Sequence, residues 1–385
     1  MLPNNLSKTV VFAANRGYAL KSSREKIIQH FISQGWQVVI ATSDDIESRD
    51  LCISGAVLES VTFGRGGFSP RTDIQAYQRL KEIYRTYRPA LVHHFHAKPV
   101  ILGTVTARRI LGDDVTIVNS ITGLGHAFVS GGWIAYLAGA GYRLSLPKSD
   151  MTIFQNRDDQ SLFICRGWVR SDYQRLIVGS GVDIKKFSLQ VREHERSPPV
   201  IIMLGRLLKQ KGILEFIEVA KRVRKDWPTA RFIWAGEVDS VHPDAVTKKW
   251  IMSQIDIEYV GRLSDILPLL NSADILLFPS YREGVPRAVM EAAATGLPTV
   301  GFDVPGVREA VRDGETGYLV PKCDVDAMTE SVVSLLENVK LLERMGRQAR
   351  QLAESEFDVR NIQTAFFSIY CDLGIDISVP ESKLL

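Results

Sequence analysis

A chain of 385 residues, 45% hydrophobic and 24% charged, has room for two domains with separate cores and is too apolar to be disordered. Cys52, Cys165, Cys323 and Cys371 show no C-x-x-C spacing, which argues against a zinc site or a disulfide framework and for a reducing compartment. Beneath the net charge of +3, residues 1–185 carry 22 Lys and Arg against 15 Asp and Glu while residues 186–385 carry 25 against 29, so the first half suits an anionic membrane surface or a phosphate-bearing partner.

Predicted strands and helices alternate from the start. A strand over residues 9–14 precedes a helix over 22–34 and a strand over 37–41; a strand over 90–94 is followed by a helix over 100–111. Further strands at 115–119 and 151–154 complete a pattern that implies a parallel sheet covered on both faces. The rhythm breaks over 179–199, where charges and Pro198-Pro199 intervene, and the domains are expected to be 1–185 and 186–362, with a segment 363–385 packing back on the first. The second half repeats the pattern: strands at 200–204, 231–235, 257–260, 275–279 and 299–302, and helices at 213–225, 264–271, 286–295, 304–312 and 325–356. Two doubly wound α/β domains with a cleft between them follow, with ligands beyond the carboxyl ends of the strands. The amino terminus shows no signal-peptide pattern and no stretch approaches the roughly 20 apolar residues of a spanning helix. The reading is a cytoplasmic protein, peripheral on the inner face of the plasma membrane.

Polar signals gather in the loops of the second half. After the strand 200–204 comes Gly205-Arg206-Leu207-Leu208-Lys209-Gln210-Lys211-Gly212, a strand-to-helix turn where Arg206 can donate a bidentate hydrogen bond and Lys211 offers a compact charge to a pyrophosphate. A cation at a helix amino end opposes the dipole, so Lys211 needs a reason to be there, and an anionic ligand supplies one. A solvated basic turn is the alternative. Further on, Glu283-Gly284-Val285-Pro286-Arg287-Ala288-Val289-Met290-Glu291 puts one acid in a loop and the other on a helix expected to start near Pro286, where a missing N–H costs nothing. Backbone N–H groups at Gly284 and Val285, with the positive end of that helix, make an anion site. Glu291 lies about 7.5 Å further along the axis. The plain alternative is a solvated Glu283 and a Glu291 in a surface pair.

Together with Pro279-Ser280-Tyr281-Arg282, Gly296-Leu297-Pro298, Val304-Pro305-Gly306 and Asp313-Gly314-Glu315-Thr316-Gly317, these motifs resemble the nucleotide-sugar site of the family 4 retaining glycosyltransferases, whose GT-B fold has two doubly wound Rossmann-like domains facing across a cleft. The resemblance implies that Arg206 and Lys211 hold the donor diphosphate, that Glu283 faces the donor sugar and that Glu291 binds the ribose hydroxyls, with Gly205, Gly284 and Val285 also in the donor site. It puts base recognition in the loop Gly261-Arg262-Leu263, and makes Glu283, Arg206 and Lys211 the catalytic group. Gly236, Asp239 and Pro243 match a further loop pattern. In the first half, His94-Phe95-His96-Ala97-Lys98-Pro99 and Thr122-Gly123-Leu124-Gly125-His126-Ala127-Phe128 look like motifs of the bacterial branch that builds capsule, O-antigen or N-glycan chains on undecaprenyl diphosphate. Thr122 stands where many family 4 enzymes have a histidine, so that histidine's contact with the sugar is not carried over. Candidate acceptor-side or sugar-side residues are Asn15, Gly17, His96, Lys98, Thr122 and Gly123.

The implied reaction moves an N-acetylhexosamine or hexose from a UDP-sugar co-substrate to a polyprenyl-diphosphate-linked saccharide with retention, by front-face attack, with no metal or other cofactor and no nucleic-acid partner. Arg206, Lys211 and backbone N–H groups would stabilise the leaving group and Glu283 would orient the sugar. Rival readings are a transferase with a soluble acceptor, a two-domain sugar-nucleotide epimerase and a non-catalytic nucleotide-binding subunit. His94 and His96 alternate like metal ligands but have no third partner. The better reading places His96 and Lys98 against substrate or in the ordering of a loop, and His93 in the core. Asp324-Val325-Asp326 mimics a metal-binding D-x-D, yet its place before an apolar-periodic stretch favours helix capping. Gly64-Arg65-Gly66-Gly67 and Asn15-Arg16-Gly17 are loops that shape an acceptor site or simply turn. The run 128–146, with Trp133, Tyr136, Tyr142, Arg143 and, just beyond it, Lys148, reads either as a membrane-surface element or as a buried Gly/Ala-rich helix.

Overall fold

Strands buried on both faces read as unbroken apolar runs, and this chain has many of them. The computed structural model describes residues 7–64, 69–124, 132–189, 198–239, 242 and 244–380. Contacts divide the chain into one unit of residues 1–180 and 360–385 and a second of 181–359. In the first, strands β1 (Ser7–Ala13), β2 (Gln37–Thr42), β3 (Val57–Ser60), β4 (Pro89–Phe95), β5 (Thr116–Ile121), β6 (Met151–Phe154) and β7 (Gln174–Leu176) form a parallel sheet in the order β3-β2-β1-β4-β5-β6-β7. The second holds β8 (Val200–Leu204), β9 (Arg231–Ala235), β10 (Glu258–Gly261), β11 (Ile275–Phe278), β12 (Thr299–Phe302) and β13 (Gly317–Val320), also parallel, in the order β10-β9-β8-β11-β12-β13. Each order reverses direction once, between β1 and β4 and between β8 and β11. That reversal opens a crevice at the strands' carboxyl ends, where doubly wound folds bind ligands.

Several element boundaries depart from the sequence reading. The first helix spans Gly17–Ser33, five residues longer at its start than expected, because Asp45 from the next loop accepts the Gly17 N–H at 2.9 Å. That same carboxylate caps the helix Ile46–Ile53 through a capping box with Ser48. A side chain at position 17 would collide with Asp45, so glycine is required there. The helix after β4 begins as a π turn, Pro99–Gly103, before Thr104–Leu111 continues as α. The span 304–312 shortens to a single turn, Val307–Ala310. The span 325–356 is two helices, Val325–Glu337 and Val339–Glu356, since Asn338 accepts the Leu341 N–H at 3.0 Å and starts a new amino end. Asp324 caps the first of these through the Ala327 N–H at 2.9 Å, as its place in the sequence suggested.

The chain crosses into the second unit beside the place where it returns: Val182 and Asp358 form a parallel bridge, with hydrogen bonds from the Val182 N–H to the Phe357 carbonyl at 2.7 Å and from the Val359 N–H to the Val182 carbonyl at 3.0 Å. The last helix, Val359–Asp372, carries Phe366, Phe367 and Tyr370 into the core of the first unit with Phe12, Phe31 and Trp36.

Candidate active site

The second unit's loops are assembled by close backbone approaches. Gly212, in the left-handed region at φ 79°, ends the turn Lys209–Lys211 and starts the helix Ile213–Asp226; any side chain there would strike the Pro279 carbonyl and ring. The Tyr281 N–H donates to the Gln210 carbonyl at 3.0 Å, and the Tyr281 hydroxyl to Glu215. These contacts lock the loop after β11 onto the loop after β8. From behind, the Glu283 N–H donates to the Pro305 carbonyl at 3.1 Å, and Gly306, at φ 85°, lies so close to the Gly284 carbonyl that it too cannot carry a side chain. Gly236 is packed in the same way on the Gly205 carbonyl.

That scaffold brings Lys211 and Glu283 into an ion pair, with the Ser280 hydroxyl donating to the same carboxylate. Both side chains are mostly buried, so the reason Lys211 tolerates its place before a helix is Glu283. The sequence reading assigned that task to a ligand. Arg206 is also paired, to Asp239 Oδ2 at 2.8 Å, but keeps 40% of its side chain exposed against 10% for Asp239. Asp239 therefore aims a guanidinium that still faces solvent.

Pro286 has extended dihedrals and stands before the helix, which runs Arg287–Ala294; the expected span of 286–295 is one residue long at each end. Glu291 is buried and takes a 2.7 Å bond from Arg287 Nε, an i,i+4 pair. This corrects the surface-pair alternative. Burial pushes its carboxyl up, opposed by Arg287 and by the charge of Lys186. Val285 is buried and Gly284 half-buried. Arg262 is exposed and 3.6 Å from Glu237, and Leu263 beside it is half-buried. The Gly261 carbonyl receives the Gly236 N–H at 2.8 Å, which fixes this loop to the one carrying Asp239.

In the first unit, Asn15 and His96 leave the ends of neighbouring strands, β1 and β4, where Ala13 faces His94. Asn15 Oδ1 and His96 Nδ1 are both buried and without a hydrogen-bond partner, and His96 has a φ of 71°. Lys98 pairs with Asp73 of the helix Pro70–Tyr87 at 2.7 Å. Thr122 and Gly123 are half-buried just beyond β5, with Gly123 at φ 116°. His94 is a core residue, bonded to Tyr84 at 2.8 Å and Asn119 at 2.9 Å, and His93 to Tyr370 at 2.6 Å and Ser120 at 2.8 Å. No group of three or more metal-ligating side chains occurs among the described residues. The motif residues Gly125, His126, Ala127 and Phe128, the loop residues Arg65, Gly66 and Gly67, and Pro243 lie outside the described residues. Ser280 and Arg287 stood in the quoted motifs without a role and Asp73 was not named; only Arg287 left a local signal, its i,i+4 spacing from Glu291.

Two parallel doubly wound units, with cations and a paired glutamate at the strand ends of the second, define the GT-B class of glycosyltransferases. The comparisons make this particular: residues 198–338 match the model "Glycosyl transferases group 1", residues 10–156 match "Glycosyl transferase 4-like", and the chain belongs to family 4, a retaining family that takes its sugar from a nucleotide-sugar. It is 27% identical over 331 residues to a glycogen synthase of Mycobacterium tuberculosis, covering 81% of this chain and 76% of that protein. It is 24% identical over 374 residues to the N,N'-diacetylbacillosaminyl-diphospho-undecaprenol alpha-1,3-N-acetylgalactosaminyltransferase of Campylobacter jejuni, covering 93% and 97%. The crystal structure of Anabaena HepE in complex with UDP shares the fold, with a TM-score of 0.76 at 16% identity over 94% of this chain and 100% of that one.

Proposed function

We propose that the protein moves a hexose or N-acetylhexosamine from a UDP-sugar to a polyprenyl-diphosphate-linked saccharide, with retention and without a metal, in the assembly of a bacterial surface polysaccharide or glycoprotein glycan. The observation that carries the donor half is the paired Lys211 and Glu283 beside the solvent-facing Arg206. A diphosphate leaving group gathers negative charge as the glycosidic bond breaks, and fixed cations in that place lower the barrier without reorganising. Glu283, held by Lys211 and Ser280, is free of proton-transfer duty and orients the sugar. Buried Glu291, paired with Arg287, suits the two hydroxyls of a ribose.

Two observations support the lipid-linked acceptor. One is the likeness to the Campylobacter enzyme, whose name specifies a diphospho-undecaprenol acceptor. The other is the helix Gly132–Ser145, which points its apolar side outward: Trp133 is 61% exposed, Tyr136 76%, Leu137 41% and Leu144 68%, with Arg143 and Lys148 exposed nearby. Aromatics flanked by cations suit the interface of an anionic bilayer. No helix of the described residues is long and apolar enough to cross a membrane, so association there would be peripheral, on the inner face. The likeness to a glycogen synthase favours a second reading, a soluble glucan acceptor. The test is a matrix of UDP-sugars against a lipid-diphosphate saccharide and glycogen, with EDTA, reading UDP release and product anomer. Acceptor-dependent release with the lipid alone supports the proposal; release with glycogen alone, or donor isomerisation without acceptor, overturns it.

A further inference from the structure

Arg24 is a charge in an unexpected place. It lies midway along Gly17–Ser33, is 1% exposed, and makes no ion pair among the described residues. Its Nη1 donates to the Ser23 carbonyl at 2.8 Å, its Nε has no partner, and its guanidinium stacks against Phe366 at 4.6 Å and Phe95 at 5.2 Å. Burial lowers its pKa to about 10, which leaves it cationic at neutral pH. The titratable groups within reach of its field are His93, His96 and Tyr370, none of them an anion at that pH. Two aromatic faces offset only part of the cost of desolvating a guanidinium. Among the described residues this buried cation has no counter-ion.

The position is right for a ligand. Helical side chains lean toward the amino end of their helix, and this helix starts just after β1, so Arg24 reaches back toward the strand ends and meets Phe95, the last residue of β4. The next residue is His96, in the left-handed region that a histidine occupies at a cost, with Nδ1 buried and unpartnered. Burial lowers its pKa to about 4, against a ring hydrogen bond to the Phe95 backbone and with a smaller push from Arg24, so the ring is neutral at neutral pH. Asn15, from the adjacent strand end, adds the unpartnered Oδ1.

We propose that Arg24 and His96, flanked by Asn15, form an anion subsite at the strand ends of the first unit that receives the diphosphate of a lipid-diphosphate acceptor. The proposal rests on the acceptor reading above. Arg24 supplies charge and the Nε donor, and His96 a second donor from Nδ1 that an anion orients.

The probe is inorganic pyrophosphate, titrated by calorimetry into protein already saturated with UDP so that the donor site is filled. Arg24→Met should weaken that binding at least tenfold, Arg24→Lys less, and His96→Asn, whose new residue tolerates a positive φ, by a smaller factor, with UDP affinity and melting temperature as checks on folding. In turnover, Arg24→Met should raise KM about tenfold for a short-chain prenyl-diphosphate saccharide and leave KM unchanged for the same saccharide on an alkyl aglycone. A folded Arg24→Met protein that binds pyrophosphate as wild type does overturns the subsite, and if that variant does not fold, equal pyrophosphate affinity in the Arg24→Lys and His96→Asn proteins does the same. Arg24-dependent pyrophosphate binding in an enzyme that glycosylates no lipid diphosphate supports the subsite and overturns the acceptor reading alone.

Discussion

Lys211 and Glu283 serve each other before they serve a substrate, and this separates two effects that a single substitution would mix. Removing either partner strands a mostly buried charge, so Lys211→Met and Glu283→Gln should each lower the melting temperature as well as activity. The double variant removes both charges. It should recover most of the lost stability, measured by thermal unfolding, while turnover stays down by a factor of roughly 100 or more, the scale of a lost transition-state contact. Recovery of turnover along with stability would refute a catalytic role for the pair. Arg206 is different because it stays exposed while Asp239 is mostly buried: Arg206→Lys, which keeps a cation beside Asp239 but loses the guanidinium fork, should lower kcat with little change in melting temperature.

Among the elements, those governed by periodicity were legible from sequence and those governed by a distant residue were not. β8, β9 and β12 follow their apolar runs residue for residue. The early start of Gly17–Ser33 was hidden because its cap, Asp45, comes from another loop, and the break at Asn338 because an apolar stripe continues across it. The candidate site divides along the same line. Motif spacing located Arg206, Lys211, Glu283 and Glu291, but their pairing depends on Gly212 and Gly306 packing against backbone far away in sequence, which no local pattern encodes. Two element-scale outcomes follow. Asn338→Ala should cost about 1 kcal/mol through the lost cap, seen as a drop of about 2–4 °C in the melting of the second unit. Gly212→Ala, by contrast, cannot fit against Pro279 and should weaken UDP binding more than it weakens the fold.

For the whole molecule, pH acts through the buried histidines of the first unit. His94 has its pKa lowered to about 4 by burial, and burial with the nearby Arg24 holds His93 well below its ordinary value. The unfolded chain binds these protons first, so their contribution is complete above about pH 6.5 and is lost as pH falls toward 4. At pH 5 the loss from His94 is about 2 kcal/mol, and urea midpoints at pH 7.5 and 5 should show it, with His94→Gln reducing the dependence by that amount and His93 and His96 supplying the rest. Buried Glu291, whose pKa is raised, works with the opposite sign and in the other unit. The return of the chain at Val182 and Asp358 has a consequence for synthesis. Residues 181–359 are in effect inserted into the first unit, whose core with Phe12, Phe31 and Trp36 is completed by Phe366, Phe367 and Tyr370 of the helix Val359–Asp372. On a ribosome that core waits while the whole insert is translated, on the order of ten seconds or more, so a nascent chain held by a C-terminal extension with residue 359 just clear of the exit tunnel should already resist protease across the insert while its first unit is still held by chaperones.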